Sequence, residues 1–325
     1  MNSFGRNFRL SIFGESHGPL IGVVIDGIPA GMSLDVSDFE CDLARRRSGA
    51  AGTTPRHEND HPEIVSGLLD GHTTGAPLTI LFRNESTRSG DYAHLYDHPR
   101  PGHADFVAST KFGGHNDLRG GGHFSGRLTL ALVAAGVVAK KMVAPTSPVA
   151  KIVELGGSSN PSNWDALIAS ATAEGDSLGG VIECRANPMP VGIGEPFFDS
   201  LESVIAHLAF AIPGVRGVEF GDGFGAARMR GSEHNDPIVD AAGHTSSNGA
   251  GGINGGISNG NELVFRVAIK PTSSIARPQM TYNRATDSIS ELTIGGRHDV
   301  CIALRAAVVV EAVCAIALAD LATGR

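Results

Sequence analysis

Apolar residues in this chain occur in runs of two lengths. Runs of six to eight residues, rich in Val, Ile, Leu and Phe, predict strands at 8–13, 21–28, 77–82, 149–155, 180–186 and 262–269. Longer apolar segments predict helices at about 128–143, 200–211 and 301–321. This alternation predicts a mixed α/β fold. Because no Pro/Ser-rich or like-charged linker divides the chain, we expect one domain over residues 1–325.

A further helix is marked by its two ends. In SDFECDLARRRSG, Ser37 and Glu40 have the spacing of a capping box, and Gly49 follows the last turn. The helix should therefore finish in Arg45, Arg46 and Arg47. A favourable interaction with the helix C-terminus is sufficient to explain two of these arginines.

Composition limits the classes of partner. The chain has 325 residues, of which 41% are hydrophobic, enough for a large buried core. Its 26 Lys and Arg residues against 34 Asp and Glu residues give a formal net charge of −8. This balance argues against binding of nucleic acid or of an anionic membrane through the overall field. Clustered arginines are therefore interpreted as local anion sites.

Cysteine spacing and the N-terminus indicate a cytoplasmic protein. Cys41, Cys184, Cys301 and Cys314 lie far apart without a C-x-x-C pair, which favours neither a zinc ribbon nor a disulfide framework. The N-terminal MNSFGRNFRLSIF lacks the features of a secretory signal. The two most apolar helical segments carry charged residues, so we expect core helices and no membrane association.

Glycine is the outlier of the composition, with 43 residues against roughly 7% in an average protein. The triplet in RGGGHFSGR (119–127) stands just before the predicted start of the helix at 128–143. Helix starts offer unpaired N–H groups and positive potential, so bare backbone there suits an anion such as phosphate. A tight surface turn that needs positive φ is the alternative. The triplet alone leaves both interpretations open.

Three patterns match catalytic motifs but lack the required context. HENDH (57–61) has the zinc-protease pattern, yet the proline that follows disfavours a helix. GESHG (14–18) and GISNG (256–260) fit the hydrolase elbow, but extended segments follow both. GDGFGA (221–226) resembles a dinucleotide fingerprint without room for its helix. We therefore expect no metal site, no serine hydrolase and no Rossmann site.

Eight motifs occur in an order that one family shares. They are GESHG (14–18), TTPR (53–56), VSGLLDGHTTGAP (65–77), RPGHAD (100–105), RGGGHFSGR (119–127), NGAGGINGGIS (248–258), KPTSSI (270–275) and GGRHD (295–299). Together they resemble chorismate synthases, and the resemblance covers nearly the whole chain. It implies an α+β fold in which one large domain has β-sheets sandwiched with helices, a β-α-β sandwich.

The resemblance also implies a reaction. Chorismate synthases convert 5-enolpyruvylshikimate 3-phosphate to chorismate, the last step of the shikimate pathway to the aromatic amino acids, by anti-1,4-elimination of phosphate and the C6 hydrogen. Reduced FMN (FMNH2) is required although the net reaction is redox-neutral, because it lends electron density and then recovers it. A homotetramer is expected as well. The sequence leaves open whether this protein reduces its flavin with NADPH or receives it from a separate reductase.

The same resemblance assigns site residues by motif. His17 is implied as proton donor to the departing phosphate, His103 as the group that protonates or poises the flavin, and Asp299 as the base for the C6 hydrogen. The substrate has a phosphate and two carboxylates, which guanidinium groups suit; we assign it Arg46, Arg100, Arg127 and Arg305. The implied flavin contacts are His123, Phe124, Ser125, Gly255, Lys270, Pro271, Thr272, Ser273, Ser274 and Arg297.

Some positions depart from the family pattern. Many members have Arg-Ser-Ser-Ala-Arg-Glu where this chain has His-Phe-Ser-Gly-Arg-Leu (123–128), and GRHDV replaces the commoner GRHDP. Gly52 stands where arginine is frequent, which weakens the case for nicotinamide nucleotide binding there. We interpret these changes as variation within the family. The alternatives are a flavin-dependent oxidoreductase and a non-catalytic paralogue that binds flavin or phosphate.

Overall fold

Most strands belong to two antiparallel sheets in the computed structural model, which describes residues 2–56, 58–87, 89–296 and 298–322. In chain order the strands are β1 (Ser3–Phe4), β2 (Arg9–Gly14), β3 (Leu20–Asp26), β4 (Glu63–Ser66), β5 (Leu68–Leu69), β6 (His72–Thr73), β7 (Leu78–Arg83), β8 (Ser147–Leu155), β9 (Gly180–Asn187), β10 (Val215–Phe220), β11 (Ile253–Asn254), β12 (Ile257–Ser258), β13 (Leu263–Ile269), β14 (Gln279–Asn283) and β15 (Ser288–Leu292). The α-helices are α1 (Glu40–Arg46), α2 (Asp105–Lys111), α3 (Thr129–Val143), α4 (Trp164–Ala173), α5 (Leu201–Ala211), α6 (Gly231–His234) and α7 (Ala303–Ala322).

Each large sheet presents one apolar face to the core. The first has the strand order β1-β2-β3-β7-β4, and in it Val23 lies opposite Ile80 with both side chains fully buried. The second has the order β10-β13-β9-β8. There Phe265 lies opposite the buried Cys184, while the next pair along these strands, Arg266 and Glu183, forms an ion pair. Side chains alternate between faces along a strand, so buried and ionic pairs alternate too.

Helices α3 and α7 fill the space between the sheets. Helix α3 packs on β2 and β3, α7 packs on β8 and β9, and the two helices pack against each other. Both are apolar around most of their circumference, as helices buried on all sides must be. At their crossing Gly136 meets Ala312, where a Cβ on residue 136 would lie 2.6 Å from the Ala312 Cα. The expected fold, β-sheets sandwiched with helices, is confirmed.

The predicted elements lie within two residues of the observed ones for all six strands and the three apolar helices. The predicted position of the capping box, at Ser37 and Glu40, is wrong. Asp35 accepts from the N–H of Ser37, and Asp38 accepts from the N–H of Asp35, so the box begins two residues earlier, on a 3-10 turn at Val36–Phe39. Among the described residues, no helix combines the length and the apolarity needed to cross a membrane.

Local structure explains why the three motif matches mislead. Residues 58–62 are not helical, and His57 lies outside the described residues. GESHG joins β2 to β3, and GISNG ends β12 and leads into β13, so neither serine precedes a helix. After β10 the chain forms a 3-10 turn at Gly223–Arg228 in place of a long helix. In each of the three places the backbone, where it is described, lacks the helix that the motif requires.

Candidate active site

One cavity brings most of the predicted site residues together. Its volume is about 750 Å³, within the range usual for ligand sites. The loop after β2, the end of α1, the approach to α3 and the segment after β13 form its polar wall, while α5 and α7 contribute apolar side chains. The predicted residues that line it are His17, Arg46, Arg100, His103, His123, Phe124, Ser125, Arg127, Lys270, Pro271, Thr272, Ser273, Ser274, Asp299 and Arg305.

One of the two remaining predicted flavin contacts is not part of this lining, and the other is not described. Gly255 lies in the turn between β11 and β12, away from the cavity. Arg297 lies outside the described residues. Both assignments stay predictions.

The cavity is cationic although the protein is acidic. Among the described residues, seven Lys and Arg residues line it against three carboxylates, within a chain whose formal net charge is −8. The cations are Arg46, Arg47, Arg56, Arg100, Arg127, Lys270 and Arg305, and the carboxylates are Glu58, Asp60 and Asp299. A concave surface with one dominant sign of charge attracts ligands of the opposite sign. Positive charge is thus concentrated locally, as the sequence predicted.

His17 stands in the turn between β2 and β3, where its ring is held from two sides. It makes an edge-to-face contact with Tyr92, with ring centroids 5.2 Å apart. Burial is the main cause that lowers the pKa of His17 below its ordinary value, and the Arg56 guanidinium acts in the same direction. Arg56 itself binds Ser16 through the hydroxyl and the carbonyl. The free protein therefore favours the neutral imidazole of His17.

The glycine triplet lies against the two histidines. Gly120, Gly121 and Gly122 all have positive φ, between 54° and 84°. A Cβ on Gly120 would lie 2.6 Å from Nε2 of His17, and one on Gly121 would lie 3.5 Å from Nε2 of His103. The positive φ agrees with the turn interpretation, although Gly121 and Gly122 are buried and so do not form a surface turn.

The triplet does not begin the following helix, which corrects the sequence interpretation. Helix α3 starts at Thr129, after a 3-10 turn at Gly126–Leu128 that Ser125 caps by accepting from the Arg127 N–H. His123 precedes this turn and bridges two segments, with Nδ1 2.8 Å from the Gly14 carbonyl and Nε2 3.1 Å from Asn2 Oδ1. The unpaired N–H groups of a helix start therefore lie several residues beyond the glycines.

His103 belongs to a buried ionic cluster. Its Nδ1 lies 2.6 Å from Oδ1 of Asp105, whose carboxylate also accepts two hydrogen bonds from the Arg100 guanidinium at 2.7 Å each. Burial acts to raise the pKa of Asp105, but the hydrogen bonds from Arg100 and His103 outweigh it and hold this pKa well below its ordinary value. Burial also lowers the pKa of His103, against the opposing effect of Asp105.

The segment after β13 is tied to this cluster and to the RPGHAD turn. Arg100 Nη1 donates to the Ser274 hydroxyl at 2.9 Å. Lys270 Nζ donates to the Gly102 carbonyl at 2.9 Å and to the Ser273 hydroxyl at 2.5 Å. Thr272 presents a buried hydroxyl oxygen that has no hydrogen-bond partner among the described residues. Predicted flavin contacts and a predicted catalytic histidine thus share one hydrogen-bonded unit.

Arg46 and Arg127 both lie beside Asp60, but they differ in whether a guanidinium nitrogen is left without a hydrogen bond. Each guanidinium nitrogen of Arg127 has a hydrogen-bond partner, since they bind Asp60, the Asn84 side chain and the Arg83 carbonyl. Arg46 binds Thr129 and two backbone carbonyls, but its buried Nη1 has no hydrogen-bond partner among the described residues and lies 3.7 Å from Asp60.

Burial is the first cause that lowers the pKa of Arg46, to about 9, and the charge of Arg305 is the second. Arg46 is 2% exposed, and the nearby carboxylates Asp60 and Asp299 only partly offset the cost of burying its charge. Its neighbour Arg45 behaves differently: it leaves the cavity and forms a bidentate ion pair with Glu311 on α7. Side chains from other elements, more than the helix C-terminus, therefore bind these two arginines.

Asp299 is held between two elements. It accepts from the backbone N–H of Thr54 at 2.9 Å and from Arg305 at 3.1 Å and 3.2 Å. The carbonyl of Gly52 accepts from the N–H groups of Val300 and Cys301, which fixes the chain just after Asp299. Gly52 has a φ of +81°, and a Cβ there would lie 2.9 Å from Ile168. Position 52 therefore packs tightly and anchors the segment of Asp299.

Several residues of the site were given no role from the sequence. Arg56 and Asp105 belong to motifs already recognised, TTPR and RPGHAD, so their type and position were available signals. Glu58 binds Arg56 and two backbone N–H groups, and burial lowers the pKa of the cavity residue His298. Among the described residues, no group of three His, Cys, Asp or Glu side chains could hold a metal ion. Fold and site define an α+β enzyme with a cation-lined cavity and candidate acid–base groups.

Comparisons with known proteins agree with this class. The family model for chorismate synthase matches residues 8–323. Chorismate synthase of Chitinophaga pinensis is 59% identical over 98% of this chain and 96% of its own length. That of Dehalococcoides mccartyi is 48% identical over 99% and 96%, and that of Korarchaeum cryptofilum is 45% identical over 98% and 96%. A crystal structure of a chorismate synthase superposes with a TM-score of 0.75 at 26% identity, covering 98% of this chain and 92% of the other.

The chain belongs to the chorismate synthase family. It is accordingly a carbon–oxygen lyase that acts on a phosphate ester.

Proposed function

We propose that this protein converts 5-enolpyruvylshikimate 3-phosphate to chorismate in a reaction that depends on reduced FMN. Family membership supports the substrate and the reaction. The observation that carries the proposal is the convergence of His17, His103 and Asp299 on one cation-lined cavity. An acidic protein that binds a phosphate and two carboxylates needs such a local concentration of cations.

Two buried donors indicate that the cavity fits anionic, phosphorylated ligands. Nη1 of Arg46 and the hydroxyl of Thr272 both lack a hydrogen-bond partner among the described residues, although Nη1 lies 3.7 Å from Asp60. Buried polar groups are normally hydrogen-bonded, so each is suited to a ligand oxygen. The volume of about 750 Å³ is ample for two small-molecule ligands side by side.

We propose that residues 123–125 and 270–274 hold FMN, together with Gly255 and Arg297. When bound, the reduced flavin supplies electron density for loss of phosphate and regains it as the C6 hydrogen leaves. Lys270 supports this assignment because two hydrogen bonds fix its ammonium group at the cavity wall. Arg46 and Arg305 bind the anionic groups of the substrate, and Arg46 is the best placed because it has a free donor.

Arg100 and Arg127 are proposed substrate contacts with a different character. Their guanidinium groups are occupied by Asp105 and Ser274 in one case and by Asp60 and Asn84 in the other. They contribute positive potential to the cavity and fix its walls, and they reach the substrate through their remaining exposed edges.

The proton chemistry follows from the environment of each group. Burial and Arg56 favour the neutral imidazole of His17, and the arrival of an anionic phosphate would raise its pKa. His17 would then take up a proton from solvent and donate it to the departing phosphate. His103 keeps a nitrogen toward the glycine loop, from which it can exchange a proton with the cofactor. Asp299 is the acceptor for the proton released from C6, in a position fixed by Thr54 and Arg305.

The expected setting is a cytoplasmic homotetramer in which each chain is a single domain and contributes to the biosynthesis of the aromatic amino acids. Reduced flavin comes either from NADPH-dependent reduction by this protein or from a separate reductase.

An anaerobic assay tests the proposed function. The purified protein is mixed with chemically reduced FMN and 5-enolpyruvylshikimate 3-phosphate, and chorismate and phosphate are quantified. We expect equimolar products without net consumption of reduced FMN. Consumption of one FMNH2 per product would indicate an oxidoreductase, and the absence of product with bound ligands would indicate a non-catalytic paralogue.

A further inference from the structure

Asp105 occupies the centre of the cluster that holds His103, and it is not exposed to the cavity. It is 2% exposed, and one of its carboxylate oxygens, Oδ1, accepts from both His103 Nδ1 at 2.6 Å and Arg100 Nη2 at 2.7 Å. Its other oxygen accepts from Arg100 Nε at 2.7 Å and from the Arg100 backbone N–H. These hydrogen bonds of Asp105 all join it to residues of the RPGHAD turn.

The geometry selects one tautomer of His103. Nδ1 lies 3.0 Å from Arg100 Nη2, a donor that by itself would favour a lone pair on Nδ1, but Nη2 makes its shorter bond, 2.7 Å, to Asp105 Oδ1. The 2.6 Å contact of Nδ1 with the same oxygen therefore decides the tautomer. If Nδ1 lacked its proton, its lone pair would face the Asp105 carboxylate at 2.6 Å, which is repulsive. With the proton on Nδ1, the imidazole donates to Asp105, and Nε2 carries the lone pair on the side of the glycine loop. Within the described part of the chain, Nε2 makes no hydrogen bond.

We propose that Asp105 is a positioning residue, which fixes the Nδ1–H tautomer of His103 and joins this histidine, through Arg100 and Ser274, to the segment 270–274. The inference rests on the proposed function, because it assigns Asp105 a part in the work of His103. Buried carboxylates that orient a histidine in this way set both its ring angle and its protonation state.

The charges that face His103 make this role measurable. The positive charges of Arg100 and Lys270, and of His298 when it is protonated, disfavour the imidazolium form of His103. The negative charge of Asp105 favours it. Loss of the Asp105 charge should therefore lower the pKa of His103 further and allow both tautomers. Asp117, which pairs with Arg119 and faces His17, offers a matched control carboxylate at the same glycine loop.

The first test measures His103 without any turnover. In protein labelled with 15N at histidine, solid-state NMR gives the tautomer and the pKa of His103, assigned by its loss in His103→Gln. We expect Asp105→Asn to mix the tautomers and to lower this pKa, whereas Asp117→Asn leaves His103 unchanged. Because Asp105→Asn leaves Arg100 without its buried partner, the double variant Arg100→Gln with Asp105→Asn is measured as well. A folded variant that retains a pure Nδ1–H tautomer overturns the proposal.

The second test is a cycle of turnover numbers with reduced FMN. His103→Ala should lower kcat by about 10²- to 10⁴-fold, the usual contribution of an acid–base group. Asp105→Asn should lower kcat by no more than this, with little change in KM. The double variant His103→Ala with Asp105→Asn should be no slower than His103→Ala alone, because Asp105 acts through His103. If the kcat losses of the two single variants multiplied in the double variant, Asp105 would act independently of His103, in a structural role. If the wild type forms no chorismate, the proposed function fails while the tautomer measurement still decides the role of Asp105.

Discussion

The imidazole of His17 is packed directly against Gly120: a Cβ atom at position 120 would lie 2.6 Å from its Nε2 atom and 2.8 Å from the hydroxyl of Ser16. Any side chain at residue 120 must therefore displace the GESHG turn or the glycine loop. The absence of a side chain there is required by the position of a catalytic candidate, which gives the glycine-rich sequence a specific physical reason.

Gly120→Ala should lower turnover by about 100-fold or more, because it displaces His17, whose proton transfer is expected to contribute 10²- to 10⁴-fold. The positive φ adds a loss of stability of about 1–2 kcal/mol. Gly71→Ala is the matched control, since Gly71 also has positive φ, +74°, but open space around its Cβ position. We measure kcat and the unfolding free energy of both. Similar kcat losses in the two variants would contradict the steric explanation.

Arg46→Met should weaken substrate binding by about 10- to 100-fold, the value of a hydrogen bond to a charged group. Its unpartnered Nη1 is the donor that the substrate is expected to occupy. The measurement is the rise in Tm with 5-enolpyruvylshikimate 3-phosphate, which for the wild type reflects about 2.7 kcal/mol at 100 times Kd. Arg45→Met, which instead breaks the pair with Glu311, should keep the ligand-induced rise. An undiminished rise in Arg46→Met would remove Arg46 from the substrate contacts.

Oxidised FMN should bind more tightly in the presence of substrate. Both ligands are proposed to share one cavity whose walls, at Arg100 and Ser274, are hydrogen-bonded to each other, so that each ligand orders part of the site of the other. Couplings of this kind are typically 5- to 150-fold in affinity. Fluorescence titration of FMN with and without substrate measures the factor. Equal dissociation constants would argue against a shared site.

Separate substitution of His17, His103 and Asp299 should slow chorismate formation while FMN and substrate still bind. We expect His17→Ala, His103→Ala and Asp299→Asn each to lose about 10²- to 10⁴-fold in kcat. Chemically reduced flavin is used so that its supply cannot limit the rate. If all three variants turned over normally, the proposed proton chemistry would be wrong; activity in Asp299→Asn alone would show that another group or water accepts the C6 proton.

The stability of the protein should fall on mild acidification. Burial lowers the pKa of His17, His103 and His298 in the folded state, so below about pH 6.5 the unfolded chain binds more protons than the folded one. The free energy of unfolding should therefore decrease as the pH falls through this range, before the carboxylates titrate. Urea denaturation at several pH values measures the slope. In the triple variant His17→Gln, His103→Gln and His298→Gln, the dependence of the unfolding free energy on pH should be weaker. An unchanged dependence would show that other groups cause it.

The candidate site was predictable as far as its residues belong to local motifs. His17, His103, Lys270 and Asp299 follow from short sequences with a recognisable order, and the structure brings all four to one cavity. The motif RPGHAD contained Asp105 as well, but nothing local shows that its carboxylate is buried between Arg100 and His103. The motif of Gly255 implied a flavin contact, but Gly255 does not line the cavity.

The sequence by itself determined the strands and the long helices, because the spacing of apolar residues is a local property that the core must satisfy. The sandwich that they form followed from the resemblance of the motifs to one family. The sequence also determined that positive charge would be local in an acidic chain. Which arginine offers a free donor was decided only by the tertiary structure. Every guanidinium nitrogen of Arg127 finds a partner in Asp60, Asn84 or the Arg83 carbonyl, whereas Nη1 of Arg46 has no hydrogen bond among the described residues. The partners of Arg127 come from segments more than forty residues away in the chain. Hydrogen-bond partners of a buried charge depend on how distant elements pack, and no periodicity of the chain records that.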